Sequence, residues 1–150
     1  MNKINDEIYT EYGCGSQTRY GESLSIEEIV WLSLYKNYEF NLDDKIEEIK
    51  KNSARIALYC HLRSEGAYLR DGLSFGCEFL YYLDHPQRSH SSYLVYNESS
   101  DPLTIQRRIR AANTALKTVI FAKIENDEIE EINDIKKAKI TLRVIKPGIK

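Results

Sequence analysis

The spacing of apolar positions changes period partway along the chain. In the first part it is helical. Ser25 stands three residues before Glu28, the signature of a capping box, and Ile26, Ile29, Val30, Ser33 and Leu34 follow as one stripe, widened by Trp31 and Leu32. Residues 41–51 carry Leu42, Ile46 and Ile49 among charges, and residues 53–65 carry Ile56, Leu58, Tyr59 and Leu62 with Gly66 as a C-terminal stop, which predicts two more helices. Ahead of them, Tyr12-Gly13-Cys14-Gly15-Ser16 is broken by glycine and reads as a loop or short hairpin.

From Ala67 onward the texture turns β-prone. Residues 67–70 and 73–83 read as strands joined by a hairpin turn at Asp71-Gly72, and residues 92–98 as a further strand. Ser100 or Asp101 followed by Pro102 predicts a helix start, with the helix running to about Asn113 and basic on one side. Residues 115–124 read as a strand, the acidic residues 125–134 as a loop or ragged hairpin, and residues 139–145 as a last strand before Pro147-Gly148. Helices first, then a mixed sheet crossed by one helix, predict an α+β fold: a small N-terminal helical/β domain over residues 1–52 and a C-terminal mixed-sheet domain over residues 53–150.

Composition narrows the class of protein. The chain has 150 residues, 42% hydrophobic and 29% charged, within the range of folded domains. No apolar run approaches the roughly 20 residues that span a bilayer, and the opening ten residues lack the two halves of a signal peptide, so an intracellular protein with no membrane association is expected. Cys14, Cys60 and Cys77 are odd in number and lack metal-ligand spacing; they read as buried small apolar residues. The formal net charge of -2 conceals an asymmetry, because residues 1–100 carry 10 Lys and Arg against 16 Asp and Glu, whereas residues 101–150 carry 11 against 7. The second part can therefore offer a local phosphate-binding surface.

Signatures of P-loop, serine-hydrolase and zinc-protease chemistry are absent, which leaves the three histidines as candidate reactive groups. His61 falls inside a predicted helix and His85 precedes Pro86 in a turn. His90 sits in Arg88-Ser89-His90-Ser91-Ser92, a small polar setting at a strand entrance that suits an acid or base.

Around it, Phe75-Gly76-Cys77-Glu78-Phe79-Leu80-Tyr81-Tyr82, then His90-Ser91-Ser92-Tyr93-Leu94-Val95, then Arg110 through Lys117-Thr118-Val119-Ile120-Phe121-Ala122, resemble in order and spacing the signature of the tRNA-splicing endonuclease family. Weaker agreement extends through residues 24–28 and 145–147. The resemblance implies a C-terminal nuclease domain with Tyr82 as base, His90 as acid and Lys117 as charge stabiliser in RNA cleavage without metal or cofactor. Arg110 matches a base-pinching arginine of the family, Arg143 is the choice for its second member, and Arg107 is a further RNA-binding candidate. The implied substrate is precursor tRNA with a bulge-helix-bulge fold, cut to 2',3'-cyclic phosphate and 5'-hydroxyl ends.

Glu78 stands where the family has Asp, and the interval from His90 to Lys117 is short for it. Tyr81 adjoins Tyr82; counting from Phe75 selects Tyr82, and period-2 alternation sends Tyr81 to the other face. The acidic segment 125–131 lacks the family's Gly-containing turn, so the expected assembly is a heterotetramer with a separate structural subunit, with a homotetramer as the alternative. The expected location is cytoplasmic for an archaeal source, and nuclear or cytoplasmic for a eukaryotic one. Competing readings are a non-catalytic assembly or RNA-binding subunit of the same complex and a metal-dependent nuclease using Glu78 and Lys117.

Overall fold

The computed structural model describes residues 3–18 and 21–146, and the Pro147-Gly148 stop lies outside them. Packing divides the chain into two units, residues 1–65 with 124–139 and residues 66–123 with 140–150. The split between residues 65 and 66 adjoins the change of texture at Ala67, beyond the domain boundary expected at residue 52. A segment between the last two strands also returns to the first unit.

The first unit holds helices α1 (Lys3–Tyr12), α2 (Ile26–Lys36), α3 (Ile46–Lys51) and α4 (Ser53–Ser64), with a small hairpin of β1 (Ser16–Thr18) and β2 (Gly21–Ser23). The capping box of α2 is complete: Glu28 N–H donates to Ser25 Oγ at 3.3 Å and Ser25 N–H donates to Glu28 Oε1 at 2.9 Å. Glu28 Oε2 also accepts from Gly15 N–H at 2.8 Å, tying the glycine-broken loop to the helix. Helix α2 packs on α4, where Trp31 meets Tyr59 edge-on at 6.4 Å and the Arg63 guanidinium lies 4.2 Å from the Trp31 ring. The acidic segment is more ordered than a loop. It buries Ile129 and Ile135, forms a 3-10 turn over Ile132–Lys137 against α4, and places Asp127 Oδ2 to accept from Ser53 Oγ at 3.2 Å.

The second unit is a five-stranded sheet, β3 (Tyr68–Asp71), β4 (Phe79–Tyr82), β5 (Tyr93–Asn97), β6 (Thr118–Glu125) and β7 (Lys139–Ile145), in that spatial order. β3, β4 and β5 pair antiparallel, and β5 pairs parallel with β6. A parallel pair needs a crossover. Helix α5 (Pro102–Thr114) supplies it, started by Asp101, whose side chain accepts from Leu103 N–H, with Pro102 in the first turn. One sheet face offers Leu80, Leu94, Tyr96, Val119 and Phe121, packed with Ala112, Ile105 and Ile109 of α5, and Tyr82 joins the margin of this core.

The link from β3 to β4 is not the tight hairpin that Asp71-Gly72 suggests. Gly72 has φ -98°, and the chain instead makes a 3-10 turn over Leu73–Phe75 that ends at Gly76 with φ 69°. Gly72 is required for another reason: a Cβ there would collide with the Cys77 side chain and carbonyl. The predicted strand over residues 73–83 is correspondingly cut to Phe79–Tyr82. Cys14 and Cys60 are buried as expected, while Cys77 is half-buried, its thiol pushed up to about 11 chiefly by desolvation.

Candidate active site

Strand β4 aims Tyr82 by alternation. Tyr82 lies opposite Tyr68 and Leu80 opposite Arg70, so Leu80 and Tyr82 share the α5 face. Tyr81 points the other way and meets Tyr93 at 5.0 Å with the rings at 72°.

His90 follows a short loop whose shape is fixed by buried His85, only 1% exposed. The His85 ring packs 5.5 Å from Tyr68, and its Nδ1 accepts from Gln87 N–H at 3.1 Å. The Ser89 hydroxyl donates to the carbonyls of Asp84 (2.9 Å) and His85 (3.1 Å), and Arg88 N–H donates to the His85 carbonyl at 2.8 Å. After His90 the chain is drawn into the sheet, with Ser92 N–H donating to the Tyr81 carbonyl (2.8 Å) and the Ser92 carbonyl accepting from Thr118 N–H (3.1 Å). His90 is thus exposed on a braced backbone. His85 is more than a turn residue, and its lone position before Pro86 was the only signal of that.

Lys117 is placed by the end of α5. Leu116 N–H donates to the Asn113 carbonyl (3.1 Å) and Lys117 N–H to the Ala112 carbonyl (2.9 Å), the paired bonds of a Schellman cap, with Leu116 left-handed at φ 59°. The ammonium of Lys117 then donates to the Ser91 carbonyl at 2.6 Å and lies 6.0 Å from the Phe75 ring.

Tyr82, His90 and Lys117, 35 residues apart at the extremes, line one open cleft of about 490 Å³ together with Phe75, Arg88 and Ser91. Burial raises the Tyr82 phenol above its ordinary range, and the charge of Arg70 offsets this only in part. The Lys117 ammonium is bonded to the Ser91 carbonyl, and Arg70 is the cation that favours the phenolate. Arg88 pairs with Asp84 at the cleft, which holds the Asp84 carboxyl below and the Arg88 guanidinium above their usual values.

None of the three RNA-binding candidates lines this cleft. Arg107 and Arg110 stand exposed on α5. Arg143, on β7, bonds Glu98 at 2.6 Å and lies 5.0 Å from the Phe121 ring, so its guanidinium is engaged within the chain. Glu78, outside the cleft lining, accepts from Asn97 at 3.0 Å. Among the described residues no group of three or more His, Cys, Asp and Glu side chains is disposed to hold a metal ion, and no helix is long and apolar enough to cross a membrane.

Residues 52–133, which include Tyr82, His90 and Lys117, match the family model of the tRNA intron endonuclease catalytic C-terminal domain. The chain is 32% identical over 89 residues to the tRNA-splicing endonuclease of Hyperthermus butylicus, covering 51% of this chain and 49% of that one. It is 44% identical over 93 residues to the tRNA-splicing endonuclease subunit Sen2-1 of Arabidopsis thaliana (61% and 34%). It is 29% identical over 90 residues to subunit SEN2 of Saccharomyces cerevisiae (57% and 24%). The aligned stretches therefore span from about a quarter to half the length of these curated relatives.

Proposed function

The chain belongs to the tRNA intron endonuclease family, and from that premise we propose that it is a catalytic subunit that cleaves precursor tRNA at intron junctions without a metal ion. The observation that carries this reading is the meeting of a tyrosine, a histidine and a lysine from three separate chain segments in one open cleft.

Transesterification by the RNA's own 2'-hydroxyl needs a base for that proton, an acid for the departing 5'-oxygen and positive charge at the crowded phosphorus. Tyr82 is the base. Its raised pKa makes the phenolate rare at neutral pH but strongly basic when formed, and Arg70 supplies opposing charge. His90, exposed on its braced loop, protonates the leaving oxygen. Lys117, its backbone fixed by the helix cap, stabilises the phosphorane. The products are a 2',3'-cyclic phosphate and a 5'-hydroxyl.

The substrate fold is the bulge-helix-bulge, with exposed Arg110 and Arg107 as RNA contacts and Arg143 released from Glu98 to pinch a bulge base. Two junctions need two active sites, and Tyr82, His90 and Lys117 of one chain form a single cleft. The working assembly is therefore a heterotetramer with a structural subunit, a homotetramer being the alternative. The test is incubation of the chain, alone and with a candidate partner, with an intron-containing precursor tRNA in EDTA. Junction-specific cleavage is expected in at least one arm; its absence from both, with folded protein and intact RNA, overturns the reading.

A further inference from the structure

The cleft holds a charged group that neither the signature motifs nor the three roles above account for. Among the described residues two Lys or Arg side chains line it, Lys117 and Arg88. Lys117 is a single point donor already bonded to the Ser91 carbonyl at 2.6 Å. Arg88 presents two donors side by side: Nε meets Asp84 Oδ2 at 3.3 Å and Nη2 meets Asp84 Oδ1 at 3.0 Å. Two parallel N–H groups facing two oxygens of one anion is also how a guanidinium takes the two non-bridging oxygens of a phosphodiester.

We propose that Arg88 is a phosphate ligand of this site, that it holds the non-bridging oxygens of the phosphodiester in the cleft, and that Asp84 occupies the guanidinium until RNA displaces it. The proposal deepens the RNA-cleaving reading and rests on it. Both partners of the pair are largely open to water, with side-chain exposures of 62% for Arg88 and 54% for Asp84. An exposed pair of this kind contributes little to the fold, so exchanging one anion for another costs little. The backbone stays still meanwhile, because the loop is held by Arg88 N–H and the Ser89 hydroxyl on the carbonyls of His85 and Asp84. Only the side chain has to move. Asp84 Oδ1 keeps a separate task, accepting from His85 N–H at 2.7 Å, which an asparagine carbonyl can still do.

A loop brace and a phosphate ligand make opposite demands on the two partners. A brace suffers equally from losing either one; a ligand suffers only from losing the arginine. The full chain and its Arg88→Gln, Arg88→Lys and Asp84→Asn variants are compared in two assays on precursor tRNA. One measures binding of RNA with 2'-deoxy junction nucleotides across a salt series, and the other measures single-turnover cleavage of the all-ribose RNA. Arg88→Gln should lower the slope of log affinity against log salt by about one and slow cleavage by roughly tenfold or more. Arg88→Lys should recover the salt slope but not the full rate, since an ammonium replaces the charge without the fork. Asp84→Asn should bind and cleave at least as well as the unaltered chain.

Wild-type slope and rate in Arg88→Gln, or matching losses in Arg88→Gln and Asp84→Asn, overturn the proposal and leave the endonuclease reading intact. If the unaltered chain cleaves neither alone nor with a candidate partner, that reading fails, while the salt slopes still decide whether Arg88 binds phosphate.

Discussion

Leu116 stands apart among the described non-glycine residues with positive φ, the others being asparagines, and replacing it should stabilise the protein. Its φ of 59° lies in the left-handed region, where a side chain's Cβ crowds the following carbonyl at a cost of about 1–2 kcal/mol. Its side chain offers no compensation through burial, being 91% exposed. Leu116→Gly removes the Cβ and keeps both backbone bonds of the helix cap. Against that gain stands the greater freedom of glycine in the unfolded chain, about 0.5–1 kcal/mol. The net expectation is stabilisation of roughly 0.5–1 kcal/mol, a rise in melting temperature of about 2–4 °C or less for a chain of this size. Leu116→Ala is the informative control: it discards the same exposed methyl groups but retains the strained Cβ, so its melting temperature should stay close to that of the unaltered chain. Thermal unfolding followed by circular dichroism distinguishes the cases. Destabilisation by glycine, or an equal gain from alanine, refutes the assignment of strain. The residue next along is Lys117, so the cap that strains Leu116 also fixes the backbone of the ammonium in the cleft.

Tyr82→Phe should slow single-turnover cleavage by roughly a hundredfold or more, the loss typical of a general base, while Tyr81→Phe, whose ring packs on Tyr93 on the opposite face, should cleave within a few-fold of normal; the reverse order would put the wrong tyrosine in the cleft. Ser25→Ala removes the oxygen that accepts Glu28 N–H and should cost about 1 kcal/mol by chemical denaturation, with no loss signifying that the cap is dispensable. Acid stability follows from Asp101 and Asp134, whose folded-state pKa values are depressed, Asp101 chiefly by the Thr104 hydroxyl and Asp134 chiefly by the Glu131 N–H. In acid the unfolded chain binds more protons, so their contribution is present above an ordinary carboxylate pKa of about 3.9 and is lost as pH falls through the depressed values. Asp101→Asn should flatten the fall in unfolding free energy below about pH 4, and an unchanged acid limb would contradict the assignment.

The elements legible in the sequence are those with local chemistry of their own. Ser25 with Glu28, Asp101 with Pro102, and Gly66 each mark a helix boundary through groups within a few residues, and each stands where that chemistry puts it. Tyr82 was separable from Tyr81 because strand alternation is a strict period. What escaped depends on contacts distant in the chain. Helix α1 has few apolar positions to announce it, yet Ile8 is fully buried. Asp71-Gly72 reads as a hairpin turn because the approach of Cys77 to Gly72 is invisible without the fold. The acidic segment hid its docking on α4, although Ile129, Ile132 and Ile135 recur every third residue, the period of a 3-10 turn. At the cleft, the bonds of His85 to Gln87 and of Arg88 to Asp84 arise from how the loop folds back on itself, which residue order does not announce.

The most direct test of the central claim is the chemistry of the cut ends. With precursor tRNA cleaved in EDTA and the fragments analysed by mass spectrometry, the upstream fragment should end in a 2',3'-cyclic phosphate and the downstream fragment begin with a 5'-hydroxyl, and both should vanish in His90→Ala. Ends bearing a 3'-hydroxyl and a 5'-phosphate, formed only when a divalent metal is restored, would contradict attack by the RNA's own 2'-hydroxyl and with it the roles assigned to Tyr82, His90 and Lys117.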